Sequence, residues 1–240
     1  MDTTRICLWS SPRNISTAMM YSFAQRPDTI VFDEPLYAHY LRATGVVHPG
    51  QKEILQSQEN DGNKVVNELM LGSFDKSVAF FKQMTHHLVE LDEKFLSRMK
   101  NILFIRDPKQ IISSYAQVRP DVNMQDIGIE KQWHLFEQLT TNNQNCVVLD
   151  SNEILKAPKK VLAELCQAID IPFYNEMLHW PTGPKSEDGV WAKYWYDNVH
   201  KSTGFEKQAT SSRTLPGYLE SLYNESKKYY DQLFQHSIKA

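Results

Sequence analysis

Residues 5–23, RICLWSSPRNISTAMMYSF, decide the fold. Ile6, Cys7, Leu8 and Trp9 form an unbroken apolar run, too continuous for a half-exposed strand and suited to one buried on both faces of a parallel sheet. Residues 10–14 are loop chemistry, and residues 16–23 read as a helix beginning near Ser16. This order of strand, loop and helix turns helix N-terminal amides and the Arg13 guanidinium toward one point, an anion site. Taken alone, the same loop also reads as a polar turn with Ser16 as the helix cap.

Outward from that stretch, short apolar runs recur at 30–32, 78–81, 101–105 and 146–150. Helical patterns stand between and after them, at 92–100, 109–118, 127–141, 158–169 and 219–234. The pattern at 127–141 places Ile129, Trp133, Phe136 and Leu139 at helical spacing. Strands alternating with helices predict an α/β fold of three layers, a central, mainly parallel sheet covered by helices. Residues 45–63 are polar, with turn signals at Pro49-Gly50 and Asp61-Gly62, and form the expected mobile or substrate-facing region. Residues 172–216 are irregular and rich in aromatics, Pro and Gly. No linker divides residues 1–240, which read as a single domain.

Composition narrows the function. The 240 residues are 41% hydrophobic and 23% charged, with a net charge of −3. That balance argues against a general nucleic-acid surface, so any anion site must be a focused pocket. Cys7, Cys146 and Cys166 each lie in an apolar run and read as buried thiols of a reducing compartment, with neither a disulfide frame nor zinc spacing. No metal-ligand cluster is expected. No run approaches about 18 apolar residues, and Met1 leads directly into the first strand without a leader pattern, so the expectation is a cytoplasmic protein without a membrane partner.

In a parallel sheet, ligands gather outside the carboxyl ends of the strands, and Arg13, Glu34, Lys82 and Arg106 all follow strand ends. For Arg106 a surface salt bridge is the competing reading, and for Glu34 a cap or a surface acid. The glycines and lysine of the nucleotide-triphosphate P-loop are missing from the first loop. Cys7 to Arg13 has the Cys-x5-Arg spacing of cysteine-dependent phosphatases. Here Leu8 and Trp9 carry the strand past Cys7 and no glycine follows, which favours a buried thiol.

Three pieces, SPRNISTAM, FDEP and FIRDPKQIISSY, together resemble the sulfotransferases that use 3′-phosphoadenosine 5′-phosphosulfate (PAPS) as donor. The resemblance covers residues 5–118 and implies a P-loop-like nucleotide-binding architecture. It places Arg13, Asn14, Ser16 and Thr17 on the 5′-phosphosulfate, and Arg106 and Ser114 on the 3′-phosphate. A fainter piece, GPKSEDGVW, implies Lys185, Gly189 and Trp191 near the nucleotide. Arg13 stands where the cytosolic small-molecule enzymes have lysine, so the loop is more similar to the tyrosylprotein and some bacterial sulfotransferases, a comparison that points to Glu34. Ile15 stands at the position of the family's loop glycine.

Sulfuryl transfer needs in-line placement, cations for the transferred and leaving oxygens, and a base for the acceptor. Arg13 suits the leaving phosphate and Lys82 the bridging or sulfuryl oxygens. Glu34 is the favoured base, His86 the alternative, and His87 reads as a core or surface residue. The implied reaction is transfer to a hydroxyl or amine on a small molecule or peptide. The alternative is a PAPS- or nucleotide-binding module without catalysis.

Overall fold

The computed structural model describes residues 3–117, 121–144, 146–206 and 215–240. The opening apolar run is β1 (Thr4–Ser10), the middle strand of a five-stranded sheet with β2 (Thr29–Asp33), β3 (Val78–Met84), β4 (Lys100–Ile105) and β5 (Cys146–Asp150). The order is β2-β3-β1-β4-β5, and every pairing is parallel. Side chains alternate across β1, so Ile6 and Leu8 join the core on one face and Cys7 and Trp9 the core on the other. All four are fully buried, which is why the run shows no polar alternation.

The helices are α1 (Ser16–Ala24), α2 (Tyr37–Thr44), α3 (Gln51–Ser57), α4 (Gly62–Lys64), α5 (Pro108–Tyr115), α6 (Met124–Ile127), α7 (Ile129–Thr141), α8 (Ser151–Lys156), α9 (Pro158–Ala168), α10 (Ala192–Trp195), α11 (Asp197–His200) and α12 (Glu220–Gln235). Apolar residues of α1, α8 and α9 cover the face of Ile6 and Leu8, and those of α5, α7 and α12 cover the face of Cys7 and Trp9. The chain therefore leaves β1 toward one face and β4 toward the other. Neighbouring parallel strands whose connections diverge in this way leave a crevice at their carboxyl ends. Gln132 of α7 lies beneath it, its Nε2 donating to the carbonyls of Trp9 (2.9 Å) and Phe104 (3.1 Å).

Several local expectations change. The pattern at 127–141 breaks at Gly128, whose φ of +75° suits glycine. α7 then buries Ile129, Gln132, Leu135 and Leu139 instead of a face built on Trp133 and Phe136. Residues 92–100 yield a 3₁₀ helix, Glu93–Arg98, capped by Asp92, and Lys100 already belongs to β4. α5 begins at Pro108, where the missing N–H costs little, and ends at Tyr115; Val118 lies outside the described residues. The irregular stretch holds a 3₁₀ turn (Asn175–Leu178) and the short helices α10 and α11, while residues 207–214 lie outside the described residues.

Candidate functional site

The crevice between β1 and β4 brings together Arg13, Ser114 and Arg106. Arg13 Nε donates to Ser114 Oγ at 3.0 Å, and Arg106 donates through one terminal nitrogen to the Arg13 carbonyl at 2.6 Å. Arg106 Nε donates to Gln110 Oε1 at 2.9 Å, one turn into α5. Neither guanidinium forms an ion pair among the described residues. Burial, and then the charge of Arg13, hold Arg106 below the usual arginine range. A half-buried Arg106 beside an exposed Arg13, neither in an ion pair with a carboxylate among the described residues, makes a place for an anion. The hydroxyls of Ser11 and Ser113, on the loop and on α5, are buried without a hydrogen-bond partner in the protein.

The loop geometry accounts for Ile15. The left-handed residue is Arg13, with φ +57°, and Ile15 has φ −92°, which a β-branched residue tolerates. Asn14 pins the loop, its Oδ1 accepting from the Ile15 N–H at 2.9 Å and its Nδ2 donating to the Phe104 carbonyl at 3.0 Å. Ser16 and Thr17 open α1 as buried residues, and no side chain caps the helix, so Ser16 is not the cap.

Two strands across, Glu34 and Lys82 meet in a buried cluster that also contains Asp33 and Tyr196. The sheet register pairs Asp33 with Lys82. Lys82 Nζ donates to Asp33 Oδ1 at 2.7 Å, to Glu34 Oε1 at 2.6 Å and to the Tyr196 hydroxyl at 2.5 Å. The ammonium is 1% exposed and its three protons are all used, so none is left over for a sulfuryl oxygen in this arrangement. The two carboxylates hold Lys82 well above the ordinary lysine range despite its burial. Burial raises Glu34, with Asp33 adding to the shift and Lys82 opposing it. Glu34, like Arg13, is left-handed, with φ +44°. Non-glycine residues held in that region cluster at functional sites.

A family model for the sulfotransferase domain matches residues 4–219. The chain belongs to the sulfotransferase domain family. It is similar to a protein of Arabidopsis thaliana named branched-chain-amino-acid aminotransferase-like protein 1, 39% identical over 229 residues. That match covers 95% of this chain and 41% of the relative, so the chain spans about two fifths of the relative's length. Among solved structures it is similar to the sulfotransferase domain from the curacin biosynthetic pathway, with TM-score 0.57, 15% identity and coverage of 97% of this chain and 98% of that one. The sulfotransferase domain from the Synechococcus PCC 7002 olefin synthase gives TM-score 0.56 at 12% identity, covering 99% and 96%. At such identities the likeness is one of fold, and it agrees with the five-stranded parallel sheet.

The remaining candidate residues make their contacts within the protein. Lys185 Nζ donates to the carbonyls of Pro181, Thr182 and Gly183 and sits over the Tyr21 ring, so its charge closes its own loop. Trp191 is buried in a small core with Tyr37, Leu41 and Ile54, its Nε1 donating to the Tyr196 hydroxyl at 3.1 Å. Gly189 passes so near that ring that a Cβ would come within 2.2 Å of it, and its N–H donates to Asp33 Oδ2 at 3.0 Å. The late loop thus reaches the acid cluster through Gly189 and Trp191. His86 packs its ring on Tyr40, and burial and neighbouring cations push it down to about 3, which suits a neutral imidazole. His87 is the histidine beside Glu34, Nε2 to Oε2 3.9 Å, stacked on Tyr37 and Tyr40. Cys7 is buried within β1 and burial raises its thiol well above the usual range, the reverse of a nucleophilic thiolate.

Asp33, His87 and Tyr196 are the members that sequence reading missed. Asp33 was visible as the first acid of FDEP, and His87 as half of a His pair. Tyr196 lies 163 residues from Asp33 and carries no motif. A cleft of about 470 Å³ opens beside the acid cluster, lined by Asp33, Pro35, Ser57, Gln58, Lys64 and Glu68. No helix among the described residues is long and apolar enough to cross a membrane.

Proposed function

We propose that this chain is a sulfotransferase that moves a sulfuryl group from PAPS to a hydroxyl or amine acceptor. The observation that carries the reading is the Arg13, Ser114 and Arg106 constellation, two unpaired cations on a nucleotide-type crevice. In this reading it would suit a ligand bearing more than one anionic group. Arg13, with the amides and hydroxyls of Ser16 and Thr17, would hold the 5′-phosphosulfate; Arg106 and Ser114 would hold the 3′-phosphate. When bound, PAPS supplies the sulfuryl group and a phosphate leaving group.

The chain's own residues account for the rest of the chemistry. Arg13 is pre-set by Ser114 and needs little reorganisation to meet charge developing on the leaving phosphate. Glu34 takes the acceptor proton; its raised proton affinity brings it nearer to the working pH than a solvated glutamate. Lys82 acts on Glu34 in place of the expected contact with sulfuryl oxygens. The cleft bordered by residues 57–68 is the acceptor approach in this reading, which keeps the polar stretch at 45–63 in the role expected of it. In this reading Lys185 and Trp191 support the loop that covers the acid cluster.

The experiment is conversion of PAPS to 3′-phosphoadenosine 5′-phosphate in the presence of a panel of small hydroxyl and amine acceptors and peptides. Acceptor-dependent turnover is the expected result. Nucleotide binding without turnover on any acceptor would favour a binding module.

A further inference from the structure

Asp33 and Glu34 are consecutive acids that share one ammonium in unequal surroundings. Asp33 accepts on both oxygens: from Lys82 at 2.7 Å, from the Tyr196 hydroxyl at 2.8 and 2.9 Å, and from the Gly189 N–H at 3.0 Å. Glu34 accepts from Lys82 alone at Oε1, and its Oε2 faces His87 at 3.9 Å. The Tyr196 hydroxyl carries one proton and receives donors from both Lys82 and Trp191, so that proton goes to Asp33. With both acids ionised the buried cluster bears a net charge of about −1. The first proton it gains therefore goes to the acid with fewer donors, Glu34.

We propose that Asp33 and Tyr196 are positioning residues: together they pin Lys82 against Glu34 and direct the exchangeable proton of the cluster to Glu34. The proposal rests on Glu34 being the base of the sulfuryl transfer. Tyr196 lies between α10 and α11, on a segment tied to α1 by Asp188. That residue accepts from the Tyr21 hydroxyl at 2.6 Å and contacts His200 Nε2 at 2.9 Å. The hydroxyl is thus delivered to the cluster from a fixed support.

The groups facing Glu34 are Asp33 from β2, Lys82 from β3, His87 from the turn after β3, Tyr37 from α2, and Tyr196. Burial holds His87 well below the usual histidine range and both tyrosines above theirs. Asp33 and Lys82 are therefore the charges that set Glu34.

The test is a pH titration of the protonated-carboxyl infrared band in the full chain, with thermal melts to confirm that each variant is folded. A band titrating above the ordinary glutamate value of about 4.3 is expected, and it disappears in Glu34→Gln. Tyr196→Phe removes a hydrogen bond from the anionic cluster and moves the band up by about one pH unit. Asp33→Asn removes the like charge, leaves Lys82 to Glu34, and moves the band down by at least about one unit. A band that survives Glu34→Gln, stays in place in Tyr196→Phe, or moves the same way in both variants overturns the proposal. If Asp33→Asn does not fold, the nearly isosteric Tyr196→Phe decides the question. A Glu34→Gln protein that still turns over PAPS refutes the base assignment while leaving the infrared result intact, so the two failures are distinguishable.

Discussion

At the rim of β1 and β4, Arg13 and Arg106 lie together with no carboxylate partner among the described residues, and unpartnered hydroxyls stand nearby. At the rim of β2 and β3, Lys82 is enclosed by two carboxylates and a tyrosine, and every proton it carries is used. The first arrangement gains most when an anion arrives. The second is complete without a ligand, and its excess negative charge serves to hold a proton. In the proposed reading, one sheet edge separates the holding of phosphate groups from the handling of a proton.

Substitutions break this contrast in different ways. The largest effect falls on turnover: Glu34→Gln lowers it by about 10²- to 10⁴-fold, with nucleotide affinity retained, as steady-state assays and calorimetry on one preparation would show. Next is stability. Lys82→Met leaves two buried acids facing each other and costs about 3–5 kcal/mol, read from denaturant unfolding. Arg106→Ala does the opposite: without nucleotide its unfolding midpoint stays the same or rises, because a desolvated like charge is gone. Its nucleotide affinity falls by about 10- to 150-fold, the loss of one charge-assisted contact.

Acidification gives a smaller, graded effect. His86 and His87 are held below their ordinary values, so the unfolded chain binds protons that the folded chain does not. Stability from this source is full above about pH 6.5 and is lost as the pH falls from there toward about 3, the His86 value. Glu34 works against it, since its raised value favours the folded state at low pH and that contribution fades as the pH rises. Thermal melts between pH 7 and pH 4 should show a declining midpoint, flattened in His86→Gln. The smallest effect is that of Cys7→Ser, which leaves turnover unchanged because the thiol is buried within β1; abolished turnover would restore the phosphatase reading.

Much of the arginine half was legible in the sequence. Arg13 and Arg106 follow apolar runs that only a doubly buried strand explains, and the strand order brings their ends together. The acid half was legible only in part. Glu34 and Lys82 could be placed at strand ends, but whether Lys82 points at a ligand or at Asp33 depends on Tyr196, which reaches them from an irregular, aromatic-rich stretch without periodicity. Ile15 stands where the family's loop has glycine, and the sequence alone does not show that the left-handed residue of this loop is Arg13 while Ile15 keeps a negative φ. Gln132 was missed for a related reason, as a polar residue on a helix judged by its apolar spacing.

The central claim is that the β1–β4 crevice holds a nucleotide carrying phosphate at both its 3′ and 5′ positions. Thermal shift with 3′-phosphoadenosine 5′-phosphate tests it most directly, on the intact chain, Arg13→Ala and Arg106→Ala. At a hundredfold over Kd the nucleotide should stabilise the intact chain by about 2.7 kcal/mol, a rise of about 5–10 °C for this size, with a much reduced shift in both variants. An unchanged midpoint for the intact chain at millimolar nucleotide, or equal shifts in all three proteins, would contradict it.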